Sequence, residues 1–151
     1  MPAANTPCAA ADVDVMKDRI KNGANLLASH VFQMDFLNDD FADKCPAGLL
    51  DILNNPQKRK KLVIYINPPY AETATNKTQQ QNRVNKRGVS FTVTRDKYAN
   101  VIGIASKELF AQFIIRIWAE IPGCYLAEFS TLKILQGSNF AVFRSVFQAK
   151  L

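Results

Sequence analysis

Leu62-Val63-Ile64-Tyr65-Ile66-Asn67-Pro68-Pro69-Tyr70 is the stretch on which the fold turns. Its uninterrupted apolar, β-branched start predicts a strand buried on both faces, the pattern of a parallel sheet. The prolines stop that strand abruptly, because proline has no N–H to give to a ladder. A strand that ends in a rigid polar turn presents its last residues at the carboxyl edge of a sheet. That is where open α/β sheets bind their ligands.

Working outward, His30-Val31-Phe32-Gln33-Met34 predicts another short buried strand, which runs into the acidic stop Asp35-Phe36-Leu37-Asn38-Asp39-Asp40. Cys124-Tyr125-Leu126-Ala127-Glu128-Phe129 predicts a third. Helices are expected over 14–27, 46–54, 106–121 and 138–150. In the third of these, Ser106 is the expected cap. Phe110, Phe113, Ile114, Ile117, Trp118 and Ile121 lie on one face of it. Alternating helices and strands predict an α/β fold with the three strands as parallel neighbours in one sheet. Asp35 and Asn67 then both stand at strand ends.

The 151 residues suit one domain, and the apolar fraction of 48% suits a packed core. A net charge of +6 suits a polyanionic partner. The three cysteines, Cys8, Cys45 and Cys124, are odd in number and far apart. With His30 the only histidine, neither a disulfide framework nor a metal site is expected. The start of the chain lacks the basic and apolar regions of a signal peptide, and Arg116 and Glu120 interrupt the longest apolar stretch. No membrane partner is expected, and the location is expected to be cytoplasmic. Residues 1–13 read as a flexible N-terminus. Residues 71–100 read as a mobile polar loop, in which Lys77, Arg83, Lys86, Arg87, Arg95 and Lys97 outnumber Glu72 and Asp96.

Asn67-Pro68-Pro69-Tyr70 after a buried strand resembles the catalytic motif of the S-adenosylmethionine-dependent amino-methyltransferases, in particular the N6-adenine DNA methyltransferases of restriction-modification systems. The chemistry explains the residue types. An exocyclic amine is a poor nucleophile, because its lone pair is delocalised into the ring. The Asn67 amide oxygen and the Pro68 carbonyl would accept its two hydrogens and draw it toward tetrahedral geometry. Pro68 and Pro69 hold those acceptors in place, and Tyr70 offers a face on which a flipped base stacks. By the same resemblance, Asp35 would accept from the amino group of the cofactor's adenine, Phe36 would flank the ring, and Phe113 would touch the cofactor. Lys86 and Arg87 would hold DNA phosphates. No metal is implied.

The resemblance implies a Rossmann-like methyltransferase fold, a three-layer α/β/α arrangement, of which residues 14–151 would be only a part. The family's Gly-rich cofactor turn has no counterpart here: Gly23, Gly48, Gly88, Gly103, Gly123 and Gly137 are all isolated. The chain is therefore expected to be a fragment or one part of a split enzyme. Its partners would be DNA and either the remaining methyltransferase segments or a specificity subunit. Two other readings stay open. One is an RNA or protein-glutamine amino-methyltransferase using the same motif; the other is a non-catalytic nucleic-acid-binding fragment.

Overall fold

The computed structural model describes residues 6–8, 10–24, 27–69, 92–129 and 131–147. In chain order the elements are β1 (Thr6–Cys8), α1 (Ala10–Lys21), β2 (Val31–Gln33), α2 (Phe41–Lys44), α3 (Ala47–Asn54), α4 (Pro56–Arg59), β3 (Val63–Ile66), α5 (Val93–Ile102), α6 (Leu109–Glu120), β4 (Tyr125–Glu128), α7 (Lys133–Gln136) and α8 (Ala141–Val146). Short 3-10 turns precede β2, α6 and α8.

The strands are where the sequence places them, and they pair in parallel. They do not form one sheet. β3 pairs with β4, Val63 opposite Tyr125 and Ile66 opposite Glu128. β2 pairs instead with β1, Val31 opposite Thr6. The described residues thus make two separate two-stranded parallel sheets, where three neighbours in a single sheet are expected. The difference originates in the N-terminus. Residues expected to be frayed contain a strand that takes up β2, and the Ala-rich run after it starts α1 at Ala10 rather than Asp14.

A second departure lies at the end of the expected loop. From Val93 onward it is helix, α5, and its cap, Thr92, accepts a hydrogen bond from the Arg95 N–H. A polar surface hides this helix from a reading based on periodicity, but Thr94 and Ile102 are buried. The Ser106 cap is also displaced: Ser106 belongs to the 3-10 turn Gly103–Lys107, and α6 starts at Leu109. The last helix is a 3-10 turn, Ser138–Phe140, followed by α8.

α6 is the centre of the fold. Leu109, Phe110, Ala111, Ile114, Ile115 and Ile117 are buried, and a helix buried nearly all round belongs to a core rather than to a surface. Ile102 and Ala105 pack on it from one side. Phe140 and Phe143 pack on it from the C-terminal region, and the Phe110 and Phe140 rings stack at 5.3 Å. Gly123, with φ +87°, makes the turn from α6 into β4 that a side chain would resist. β3, expected to be buried on both faces, is covered on one only. Ile64 and Ile66 are half-buried, while Val63 and Tyr65 are exposed.

Candidate active site

The turn after β2 is built by its own side chains. Asp35 Oδ1 accepts from the Leu37 N–H at 3.1 Å, and Oδ2 accepts from the Asn38 side-chain amide at 2.7 Å. The Asp35 N–H donates to Asp39 Oδ2 at 2.8 Å. Short Asx side chains stabilise turns by this kind of local bond. Each Asp35 oxygen has one partner and keeps a further lone pair, and the residue is exposed. It can therefore still accept from an incoming amine.

The turn is then fastened to the rest of the fold. The Thr94 N–H and hydroxyl both donate to the Leu37 carbonyl, at 3.0 and 2.8 Å. The Val93 N–H donates to Asn38 Oδ1 at 3.0 Å. From α6, the Arg116 guanidinium donates through Nη1 to the Phe36 carbonyl and through Nη2 to the Asp39 carbonyl, the latter at 2.7 Å. Its Nε donates to Glu120 Oε2 at 2.9 Å. Arg116 is only 6% exposed, and its cation lies 4.3 Å from the Phe41 ring centroid. Buried arginine is tolerated when its fork is filled in this way.

Glu120 also accepts from Lys97 Nζ and from the Tyr98 hydroxyl, each at 2.8 Å. Burial alone would push its carboxyl up. The hydrogen bonds from Lys97, Tyr98 and Arg116 outweigh that and hold it below the ordinary range. Donating that bond to Glu120 raises Lys97. A cavity of about 120 Å³ opens beside this cluster, lined in part by Asn38, Asp39, Thr94, Arg116 and Glu120. It is well short of the roughly 300 Å³ at which ligand pockets begin.

Of the residues singled out from sequence, Phe36 and Phe113 are brought together. Their rings stack with centroids 5.1 Å apart and planes 6° from parallel. No third ring fits between them at that spacing, so a ligand ring would meet this pair from outside. Asn67, Pro68 and Pro69 follow β3 directly, with Pro68 buried and its two neighbours exposed. Asp35 belongs to the end of the β1/β2 sheet and Asn67 to that of β3/β4, with no ladder between the two among the described residues. Tyr70, Lys86 and Arg87 lie outside the described residues.

The cofactor that the motif implies would need an acceptor for its adenine and a run of N–H groups for its amino-acid end. Asp35 can receive an adenine amino group, but no described turn offers the run of glycine N–H groups that would hold the amino-acid end. No group of three metal-ligating side chains occurs among the described residues. None of the described helices is long and apolar enough to cross a membrane.

Comparison with protein-family models, with curated proteins and with solved structures finds no match in any of the three.

Arg116, Thr94, Asn38 and Glu120 organise the turn after β2, and no motif in the sequence marks them for that role. A signal is present at one of them. An arginine inside the apolar run Ile114-Ile115-Arg116-Ile117-Trp118 has no place in a core unless it is paired, and Glu120 stands one turn later.

Proposed function

We propose that this chain is part of the catalytic domain of an S-adenosylmethionine-dependent N6-adenine DNA methyltransferase of restriction-modification type. The observation that carries this reading is Asn67-Pro68-Pro69 at the carboxyl end of β3, a parallel strand whose following crossover contains α5 and α6. In this reading the two parallel pairs are portions of a Rossmann-like, three-layer α/β/α fold of which the chain holds only part, with one face of β3/β4 left open. The protein works in the cytoplasm, with DNA as substrate and either the remaining methyltransferase segments or a specificity subunit as partner.

The Asn67 amide oxygen and the Pro68 carbonyl accept the two hydrogens of the target amine, and Tyr70 stacks on the extruded base. Asp35 accepts from the cofactor's adenine, against the outer surface of the Phe36–Phe113 pair. Bound S-adenosylmethionine supplies the methyl group. Lys86 and Arg87 hold phosphates. With its glycines isolated, the chain by itself is a poor methyltransferase.

Amide chemical shifts test this without requiring turnover. Titration with S-adenosylmethionine should move Asp35, Phe36 and Leu37, and titration with deoxyadenosine should move Asn67. Asn67→Ala should abolish the second response and leave the first. If neither ligand perturbs either turn, the methyltransferase reading fails. A second reading, a non-catalytic nucleic-acid-binding segment, is favoured by the missing Gly-rich turn. It predicts DNA binding with no response to the cofactor.

A further inference from the structure

The β3/β4 sheet has one open face, and that face is aromatic. Val63, Tyr65 and Tyr125 are 62%, 68% and 65% exposed, and Phe129, just past β4, is 58% exposed. The register sets Val63 opposite Tyr125 and Tyr65 opposite Ala127. Since strand side chains alternate, Tyr125, Tyr65 and Phe129 form a zigzag along the two strands. The Tyr65 and Phe129 rings meet edge to face at 5.6 Å. Neither strand places an acid on this face: Glu128, the only acid in either strand, alternates to the half-buried side.

Ahead of β3, separated from it by Leu62, come Lys60 and Lys61, both exposed, and neither takes part in an ion pair among the described residues. Lys58, nearby, is already paired with Asp51. The chain as a whole carries +6. A row of exposed rings with unpaired cations at one end, and no carboxylate among them, matches the chemistry of a single nucleic-acid strand. Bases stack on flat aromatic faces whatever their identity, and phosphates are met by cations.

We propose that this face binds single-stranded nucleic acid, with bases stacked on Tyr65, Tyr125 and Phe129 and phosphates at Lys60 and Lys61. The proposal goes beyond the methyltransferase reading. It uses neither Asn67 nor the cofactor turn, and it stands if the chain transfers no methyl group. Charge complementarity favours this occupant over an apolar protein segment: two exposed lysines stand at one end of the face, and two of the three rings carry a hydroxyl that stays hydrated at the edge of a stack.

Fluorescence anisotropy of a short labelled oligodeoxythymidine, titrated with the whole chain at several salt concentrations, tests it. Tyr65→Ala and Phe129→Ala should each weaken binding roughly tenfold while leaving the salt dependence alone, whereas Tyr65→Phe should bind like the unaltered chain. Lys60→Ala with Lys61→Ala should reduce the slope of log K on log salt by up to about 1.4. A duplex of matching length should compete poorly. These surface replacements leave the α6 core untouched, and thermal unfolding of each variant verifies that.

Three results would overturn the proposal. One is the absence of binding by the unaltered chain. Another is unchanged affinity in both aromatic variants, or equal competition by duplex, which would leave only non-specific charge. The third is a stable dimer that Tyr65→Ala dissociates, which would assign the face to a second copy of this chain. Loss of cofactor response with strand binding retained would sink the methyltransferase reading and not this one.

Discussion

Arg116, buried in the middle of α6, donates to the main-chain carbonyl of Phe36, eighty residues earlier in the chain. One side chain thus ties the turn that follows β2 to the central helix. It also reaches the Asp39 carbonyl, so it spans the turn from both sides.

Removing that cation should be costly. Arg116→Ala leaves the Phe36 and Asp39 carbonyls short of donors and opens space beside Phe41. A loss of about 3 kcal/mol is expected, in line with breaking a buried, hydrogen-bonded charge. Urea unfolding of the purified variant measures it, and a change under about 1 kcal/mol would mean that water replaces the guanidinium at little cost.

Thr94 offers a milder test of the same fastening. Its hydroxyl and its N–H both reach the Leu37 carbonyl, so Thr94→Val removes one of two bonds at a buried site. The expected loss is about 1 kcal/mol. Amide exchange at Leu37 and Asn38 should quicken more than exchange in the α6 core, because the turn loosens locally before the fold opens. Equal acceleration everywhere would contradict this.

The Glu120 carboxyl, held below its ordinary value of 4.5, gives the protein an acid-sensitive joint. A depressed carboxyl contributes stability that is fully present above the unfolded value. That contribution disappears as pH falls through the lower folded value. Denaturant midpoints of the unaltered chain should therefore fall below about pH 4.5. Glu120→Gln should be less stable at neutral pH and show a shallower acid decline. Parallel acid limbs for the two proteins would exclude Glu120 as a contributor.

Two glycines should respond in opposite directions to alanine. At Gly123 a Cβ meets nothing within 4 Å, yet φ is +87°, so Gly123→Ala should cost about 1 kcal/mol through backbone strain alone. Gly48, in α3, also has open space and ordinary helical φ, so Gly48→Ala should stabilise by about 0.5 kcal/mol. Thermal unfolding of the two variants decides the signs.

Burial raises both Cys45 and Cys124 above the usual thiol range. Iodoacetamide at mildly alkaline pH should alkylate both slowly in the folded chain and rapidly in urea, as followed by mass spectrometry of the tryptic peptides. Fast labelling of either thiol in the folded protein would show that its surroundings open.

What the sequence determined by itself was local. Leu62–Ile66 is an apolar run cut off by two prolines, and it is a strand wherever it packs, because both its pattern and its stop are local properties. The same holds for Val31–Gln33, Tyr125–Glu128 and the apolar body of α6. The placement of Asn67 after β3 also follows from adjacent residues. What only the tertiary structure decided was which strands and side chains meet. The partner of β2 is a three-residue strand at Thr6–Cys8 with no periodicity to announce it. α5 shows a largely polar exterior, and its role in holding Leu37 and Asn38 depends on two backbone N–H groups and a hydroxyl. Arg116 reads in sequence as a break in an apolar run, and it becomes the anchor of the Asp35 turn because folding brings two carbonyls to its fork. Strand and helix formation are set by near neighbours. Pairing, burial of a charge and exposure of the Tyr65 face depend on residues far along the chain, and those contacts exist only once the chain is packed.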